Sequence, residues 1–246
     1  MQSPEAVPLD DLHRDIASTA LSVASEYGFV LGGGNALRAH GIISRPTQDV
    51  DLFSNSERGI AAASGPVEAA LAAAGYQTEQ QDKTAGIEDL FCDDSDIGLA
   101  EWIVTAPHGR HLQMQMAYFE RSQDPVLMDV GPVLHVEDAL GGKVAALASR
   151  AHEPDYSDVA HGLGRYSTEE LIGFARRVDP GLTDVDFADA GRRLDRLSDQ
   201  RLARAGLTPD DVAMVRDRFA GWPRDAPEPE APDGAAPPPA GPCRER

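Results

Sequence analysis

Strand and helix patterns mix over residues 1–132 and helical patterns alone follow over 133–222, an order that predicts an α/β (α+β) fold. The expected architecture is a small mixed sheet with flanking helices, then a helical C-terminal region. Three observations carry this expectation. The run His111–Tyr118 alternates with period two, placing Leu112, Met114, Met116 and Tyr118 on one side and Gln113 and Gln115 on the other. Phe29-Val30-Leu31 is a short apolar strand that ends in three glycines. Beyond Val136 the pattern turns helical, with a capping box at Ser167-x-x-Glu170.

In chain order, residues 9–27 read as a helix, because Leu12, Ile16, Leu21, Val23 and Tyr27 form an apolar stripe that stops at Gly28. The strand Phe29–Leu31 follows, then a short helical segment from Asn35 to His40, then a strand carrying Asp49-Val50-Asp51-Leu52-Phe53. Ser54-Asn55-Ser56 offers an N-cap for an alanine-rich helix, which Gly65-Pro66 is expected to interrupt before it resumes to Gly75. Strands are expected near Tyr76–Gln80 and at Leu99–Thr105, the latter forming a hairpin with His111–Tyr118 across the turn Pro107-His108-Gly109. Further helices are expected at 136–151, at the segment carrying Asp155 and Asp158, from Ser167 to Val178, over Phe187–Leu197 and over Thr208–Trp222. Residues 223–246 are rich in Pro, Ala and Glu, a composition that buries no core and predicts a disordered tail.

No apolar run approaches the ~20 residues that span a bilayer, and Met1-Gln-Ser-Pro-Glu-Ala lacks the basic start and apolar block of a signal peptide. The expectation is a soluble, cytoplasmic protein without membrane contact. Cys92 and Cys243 are too far apart in sequence to suggest a disulfide framework or a zinc spacing. The acidic segment Asp93–Asp96 lacks the glycine and glutamate positions of an EF-hand and reads as a solvated loop. A net charge of −19 argues against general nucleic-acid affinity, but the charge is uneven. Residues 61–140 carry 14 acids against 3 bases, whereas residues 141–222 carry 14 against 12, so any face for phosphates lies in the C-terminal half. Eleven of those 12 bases are Arg, the side chain suited to forked phosphate contact, although most should pair with acids along solvated helices.

The stretch with the clearest chemistry runs from Phe29 to Phe53. Residues two apart on a strand share a face, so Asp49 and Asp51 bring two carboxylates together, and a divalent cation relieves their repulsion. Oxygen ligands of this kind suit Mg²⁺, which binds one or two carboxylates plus substrate phosphates; Mn²⁺ is the alternative. Gly33 and Gly34 permit close backbone approach, and the helix after them offers its N-terminal N–H groups to an anion. Together these describe a triphosphate–metal site.

The order Gly33-Gly34-x-Ala36-Leu37-x-x-His40, then Arg45-x-Thr47-x-Asp49-x-Asp51, resembles the nucleotidyltransferase motif of the AbiEii/AbiGii toxin family, including MenT-type toxins, within the polymerase-β-like superfamily. A second block, Val136-Glu-Asp-Ala-Leu140-x-x-Lys143-x-x-Ala146-Leu147-x-x-Arg150 followed by Asp155-Tyr-x-Asp158, is similar to that family's lysine helix and trailing acids. The resemblance implies a catalytic region over 1–132, a helical region over 133–222 that completes the cleft, and transfer of a nucleotide from an NTP with release of pyrophosphate. It implies Asp49 and Asp51 as metal ligands, and Lys143 and Asp155 as further catalytic residues. Asp158 is expected to serve as a helix-start partner for nearby N–H groups. Gly33, Gly34, Asn35, Arg45, Thr47 and Lys143 are the implied nucleotide contacts, with Arg45 or Thr47 donating to the triphosphate.

Two departures from the family pattern are visible. The strand expected to add a third carboxylate presents Gln113 and Gln115, which leaves one metal, or a ligand drawn from Asp155. Asn35 stands where the family has Ser or Thr, and its amide is expected to reach phosphate. Three readings stay open, in descending order. The first is a toxin that modifies RNA, at the 3′ end of tRNA, restrained by an antitoxin. The second is a transferase for a small hydroxylated molecule such as an aminoglycoside, and the third a binding module that has lost catalysis.

Overall fold

The computed structural model describes residues 9–56, 58–81 and 99–226. Lys83, Cys92, Asp93–Asp96, Cys243 and nearly all of the Pro-rich tail lie outside the described residues.

Among the described residues seven strands form one mixed sheet: β1 (Val30–Leu31), β2 (Asp49–Ser54), β3 (Gln77–Gln80), β4 (Leu99–Thr105), β5 (His111–Tyr118), β6 (Val126–Met128) and β7 (Gly131–Val133). Their spatial order is β3-β4-β5-β2-β1-β7-β6. The pairs β2/β5 and β1/β7 are parallel and the other pairs antiparallel. Register puts Val50 beside Met114, Leu52 beside Met116 and Trp102 beside Met114, so one face of the sheet is apolar. Helices α1 (Asp11–Ala24) and α3 (Gly59–Ala73) pack on each other and on strands of this sheet, and the Trp102 indole donates to Glu68 of α3 at 2.6 Å. The remaining helices are α2 (Gly33–Ala39), α4 (Val136–Ser149), α5 (Glu153–Leu163), α6 (Thr168–Val178), α7 (Asp184–Arg196), α8 (Asp199–Arg204) and α9 (Pro209–Arg218). Helix α4 contacts α2, α5, α6 and α7, which makes it the hub of the helical part.

Local sequence explains many of the boundaries. Asp10 caps α1 by accepting from the Leu12 N–H at 3.0 Å. Reciprocal capping boxes open α6 (Ser167/Glu170), α7 (Thr183/Asp186) and α9 (Thr208/Asp211). Close packing explains Gly141, where an added Cβ would lie 2.6 Å from the Phe174 carbonyl oxygen of α6.

Several sequence expectations need correction. Helix α3 runs unbroken through Pro66, because Val67 and Leu71 beyond it bury as fully as Ile60 and Ala63 before it, and that packing offsets the missing N–H. Helix α2 starts at Gly33 rather than Asn35, so the glycines belong to its first turn. Leu112, Met114 and Met116 bury as expected, but Tyr118 at the strand's end is 41 % exposed. Strands β6 and β7 and helix α8 were not foreseen.

Candidate active site

A cavity of about 990 Å³ lies between α4, α5 and the sheet face opposite to α1 and α3. On the sheet side stand Asp49, Asp51 and Phe53 of β2 with Gln115 of β5. Alternation along β2 produces this arrangement: Val50 and Leu52 are fully buried in the core, which turns Asp49, Asp51 and Phe53 to the other side. On the helix side stand Asp138, Gly142 and Lys143 of α4 and Asp155 of α5, with Arg150 at the end of α4. Gly33, Gly34, Arg45 and Thr47 complete the rim.

Gly33 is shaped by its neighbour. Its φ is +55°, and an added Cβ would lie 1.6 Å from Asp51 Oδ2, so the carboxylate occupies the space that any other residue would fill. The Gly32 N–H donates to the Asp51 carbonyl at 2.8 Å, tying the first turn of α2 to β2. Gln115 donates its side-chain amide to Asp51 Oδ1. The register opposite Asp49 and Asp51 is therefore filled by Gln113 and Gln115. The next acid along it, Glu101 opposite Gln115 on β4, does not line the cavity. Among the described residues no third acid, His or Cys joins the pair.

Burial pushes the Asp51 carboxyl up to about 6, and the neighbouring Asp49 pushes the same way, while Lys143 pulls it down. Two carboxylates that resist joint ionisation form a donor set that a divalent cation satisfies. The residues present therefore fit such an ion, with Asp49 and Asp51 as the ones able to hold it.

Facing them is a chain of opposite charges. Lys143 Nζ lies 3.1 Å from Asp158 Oδ2 and 3.6 Å from Asp155 Oδ1. Arg45 grips Asp158 with two prongs, Nε to Oδ1 and Nη2 to Oδ2, each 2.7 Å. Arg150 Nε reaches Asp155 Oδ2 at 3.3 Å. Burial alone lifts the Asp158 carboxyl, but the Arg45 guanidinium and Lys143 hold it below the usual carboxylate range. Burial works against a charged Lys143, yet Asp158 and Asp155 outweigh it and raise the ammonium above its ordinary value.

Two sequence expectations change here. Asp158 does not serve the helix start: it is fully buried in mid-helix and holds both Arg45 and Lys143. Asn35 is buried and does not line the cavity: one N–H of its amide donates to the Asp49 carbonyl at 2.8 Å and its oxygen accepts from the Thr47 hydroxyl at 2.7 Å. Asn35 fixes the start of β2 instead, and in the described contacts the Thr47 hydroxyl donates to it. Only 18 % of the Lys143 side chain is exposed. Two residues were missed. Arg38 of α2 donates to the carbonyls of Ser44 and Arg45, at 3.2 and 2.6 Å, and so positions the loop that carries Arg45. Asp138 accepts from the Ser122 N–H and hydroxyl and the Gln123 N–H, which anchors the chain after β5 under α4. No local pattern in either stretch marks those partners.

The family described as "Nucleotidyl transferase AbiEii toxin, Type IV TA system" matches residues 18–223, most of the chain. The chain belongs to this family. It is therefore a nucleotidyltransferase of the toxin class, a family that implies an NTP substrate and an antitoxin partner, and the non-catalytic reading falls away. Among solved structures it is similar to JHP933 from Helicobacter pylori, with TM-score 0.54 and 13 % identity over 86 % of this chain and 92 % of that one. It is also similar to MenT4, a nucleotidyltransferase toxin from Mycobacterium tuberculosis H37Rv, with TM-score 0.54 and 17 % identity over 85 % and 82 %. At these identities the likeness shows a shared fold. No curated protein matches the sequence. Among the described residues no helix is long and apolar enough to cross a membrane.

Proposed function

We propose that this AbiEii-family toxin transfers a nucleotide from an NTP to the 3′ hydroxyl of an RNA, tRNA foremost, in the cavity between β2 and α4. The observation that carries this reading is the opposition of Asp49 and Asp51 on one wall to Lys143 on the other, its charge secured by Asp155 and Asp158. In the reaction the acceptor hydroxyl oxygen forms a bond to the α-phosphorus and gives up its proton to solvent, the bond from that phosphorus to the bridging oxygen breaks, and pyrophosphate leaves. Asp49 and Asp51 would hold Mg²⁺ or Mn²⁺, which supplies charge neutralisation of the triphosphate and acidifies the attacking hydroxyl.

The chain's own residues do the positioning. Gly33 and Gly34 open the first turn of α2 to the triphosphate, whose charge suits the helix N-terminus. Two of the three Lys143 N–H groups face carboxylates, which leaves one for a phosphate oxygen. Arg45 keeps guanidinium N–H groups beyond those on Asp158 and the Pro46 carbonyl, and Thr47 stands on the same rim. Asp155 and Asp158 act through Lys143, keeping it protonated at neutral pH. Residues 1–132 thus bring the carboxylates and residues 133–222 close the cleft.

A second acceptor class, a small cationic hydroxylated molecule such as an aminoglycoside, is favoured by the 14 acids against 3 bases over residues 61–140. Incubation with α-labelled NTPs, total RNA and a panel of aminoglycosides separates the two. Label on RNA is expected, and label on the aminoglycosides alone overturns the RNA reading.

A further inference from the structure

A second, smaller cleft of about 360 Å³ opens beside the first, and Arg150 lines both. Its walls are Arg150, Ala151, Arg193, Arg196, Leu197 and Arg201, four guanidiniums in a chain of net charge −19. The turn from α4 to α5 makes this junction, and Ala151 within it has φ +52°, a conformation that a residue with a Cβ adopts at some cost.

The four arginines are not equally spent. Arg150 is paired with Asp155, and Arg201 with Glu153 at 2.6 Å. Among the described residues Arg193 donates to a neutral group, the Ser149 carbonyl, at 3.4 Å. Arg196 is exposed and makes no hydrogen bond or ion pair among the described residues. Three nearby acids have closer partners elsewhere. Asp195 is held by Arg224 at 2.9 and 3.0 Å, Asp199 by Arg216 at 3.0 Å, and Asp189 by Arg192. Neither Arg193 nor Arg196 has an ion pair of its own among the described residues, though Asp186 lies within the electrostatic reach of Arg193 and Asp195 within that of Arg196, and both arginines line the cleft next to the reaction cavity. Arg192, adjacent in sequence, is excluded from this pair by its bonds to Asp189 and the Arg224 carbonyl.

We infer that this cleft binds backbone phosphates of a single-stranded acceptor RNA, with Arg193 and Arg196 each taking one phosphate while the 3′ end lies in the adjoining cavity. The inference rests on the RNA reading above. Forked guanidiniums match phosphate oxygens, and phosphate contacts fix the register of a strand without reading its sequence. The cleft thereby gives a strongly acidic protein a local site for a polyanion.

The test is the salt dependence of binding to a 5′-fluorescein 12-mer oligoribonucleotide with a free 3′ hydroxyl, read by anisotropy on the full chain. Arg193→Gln/Arg196→Gln should lower the slope of log K against log salt by roughly 1.4, two phosphates at about 0.7 each for a single strand. Arg196→Gln alone, which removes no hydrogen bond of the fold, should lower it by about 0.7. Arg192→Gln should leave the slope unchanged. An unchanged slope in the double variant overturns the cleft while leaving RNA transfer by the wild type intact. Equal weakening of NTP binding in the double variant also overturns it, by assigning these arginines to the triphosphate. Wild type that labels only small hydroxylated acceptors and binds the 12-mer without salt dependence removes the RNA reading and the cleft together.

Discussion

Arg45 and Asp158, 113 residues apart, meet in a two-pronged ion pair whose contacts are both 2.7 Å, with the Asp158 side chain fully buried. The pair joins the loop before β2 to α5, and so ties the wall that carries the carboxylates to the wall that carries Lys143. Asp158→Asn leaves two cations facing a neutral amide. Removing one partner of a buried pair costs about 3–5 kcal/mol, and the lower end applies because Arg45 keeps a third of its side chain in water. Thermal melting should fall by roughly 6–12 °C in a chain of this size. A melting point within a degree of wild type would show that the pair does not hold the walls together.

Lys143 is expected to matter for both stability and transfer. Lys143→Ala takes a cation from Asp158 and Asp155, so it should melt below wild type but above Asp158→Asn, since Arg45 still pairs with Asp158. Transfer should drop by about 10²–10³, the usual effect of losing one donor to developing charge. Wild-type turnover in a folded Lys143→Ala protein would remove the lysine from the site.

Asp51 gives a pH signature with a defined sign. Its carboxyl is raised to about 6 in the folded chain, whereas an unfolded Asp titrates near 3.8. The native state therefore holds the proton more tightly, and the resulting stability is complete below about pH 4 and lost as pH rises through 6. A shift of about two units corresponds to roughly 3 kcal/mol. In chelator at pH 7.5, Asp51→Asn should melt about 6–12 °C above wild type, and the two should converge near pH 4. Added Mg²⁺ or Mn²⁺ should raise the wild-type melting point and leave the variant unmoved. Parallel melting curves across pH, with or without cation, would contradict the assignment of a strained carboxylate pair.

Gly33→Ala tests the contact between α2 and Asp51. The backbone φ of +55° is one that alanine adopts at a cost of about 1 kcal/mol, so the fold should survive. The added Cβ takes the place of Asp51 Oδ2, and cation-dependent NTP binding should be lost by calorimetry. Unchanged NTP affinity in this variant would mean that the glycine is a turn and nothing more.

Elements with a regular period or a complete cap were legible in the sequence. The alternation of β5 and the capping box of α6 are expressed within a few consecutive residues, and the structure reproduces both. Strands β6 and β7 are three residues each, too short to show a period, and β7 contains Pro132. Spacing and resemblance singled out the glycine turn, Asp49, Asp51, Lys143 and Asp155, and all of them line one cavity. The roles of Asn35 and Asp158 were not legible, because their partners come from distant segments. A buried acid that binds Arg45 looks, in sequence, like any helical Asp. Pro66 misled for a related reason: local propensity disfavours it, and packing of α3 on α1 overrides that preference.

On the proposed reading, the Asp49/Asp51 wall and the Lys143 wall act together as one nucleotidyl-transfer site. The most direct measurement follows pyrophosphate released and label gained by acceptor RNA in the same reaction, with α-labelled NTP and divalent cation, for wild type and for Asp51→Asn. The expected result is one pyrophosphate per nucleotide transferred by wild type, and loss of both signals in a variant that remains folded. Transfer by Asp51→Asn at the wild-type rate would contradict the account.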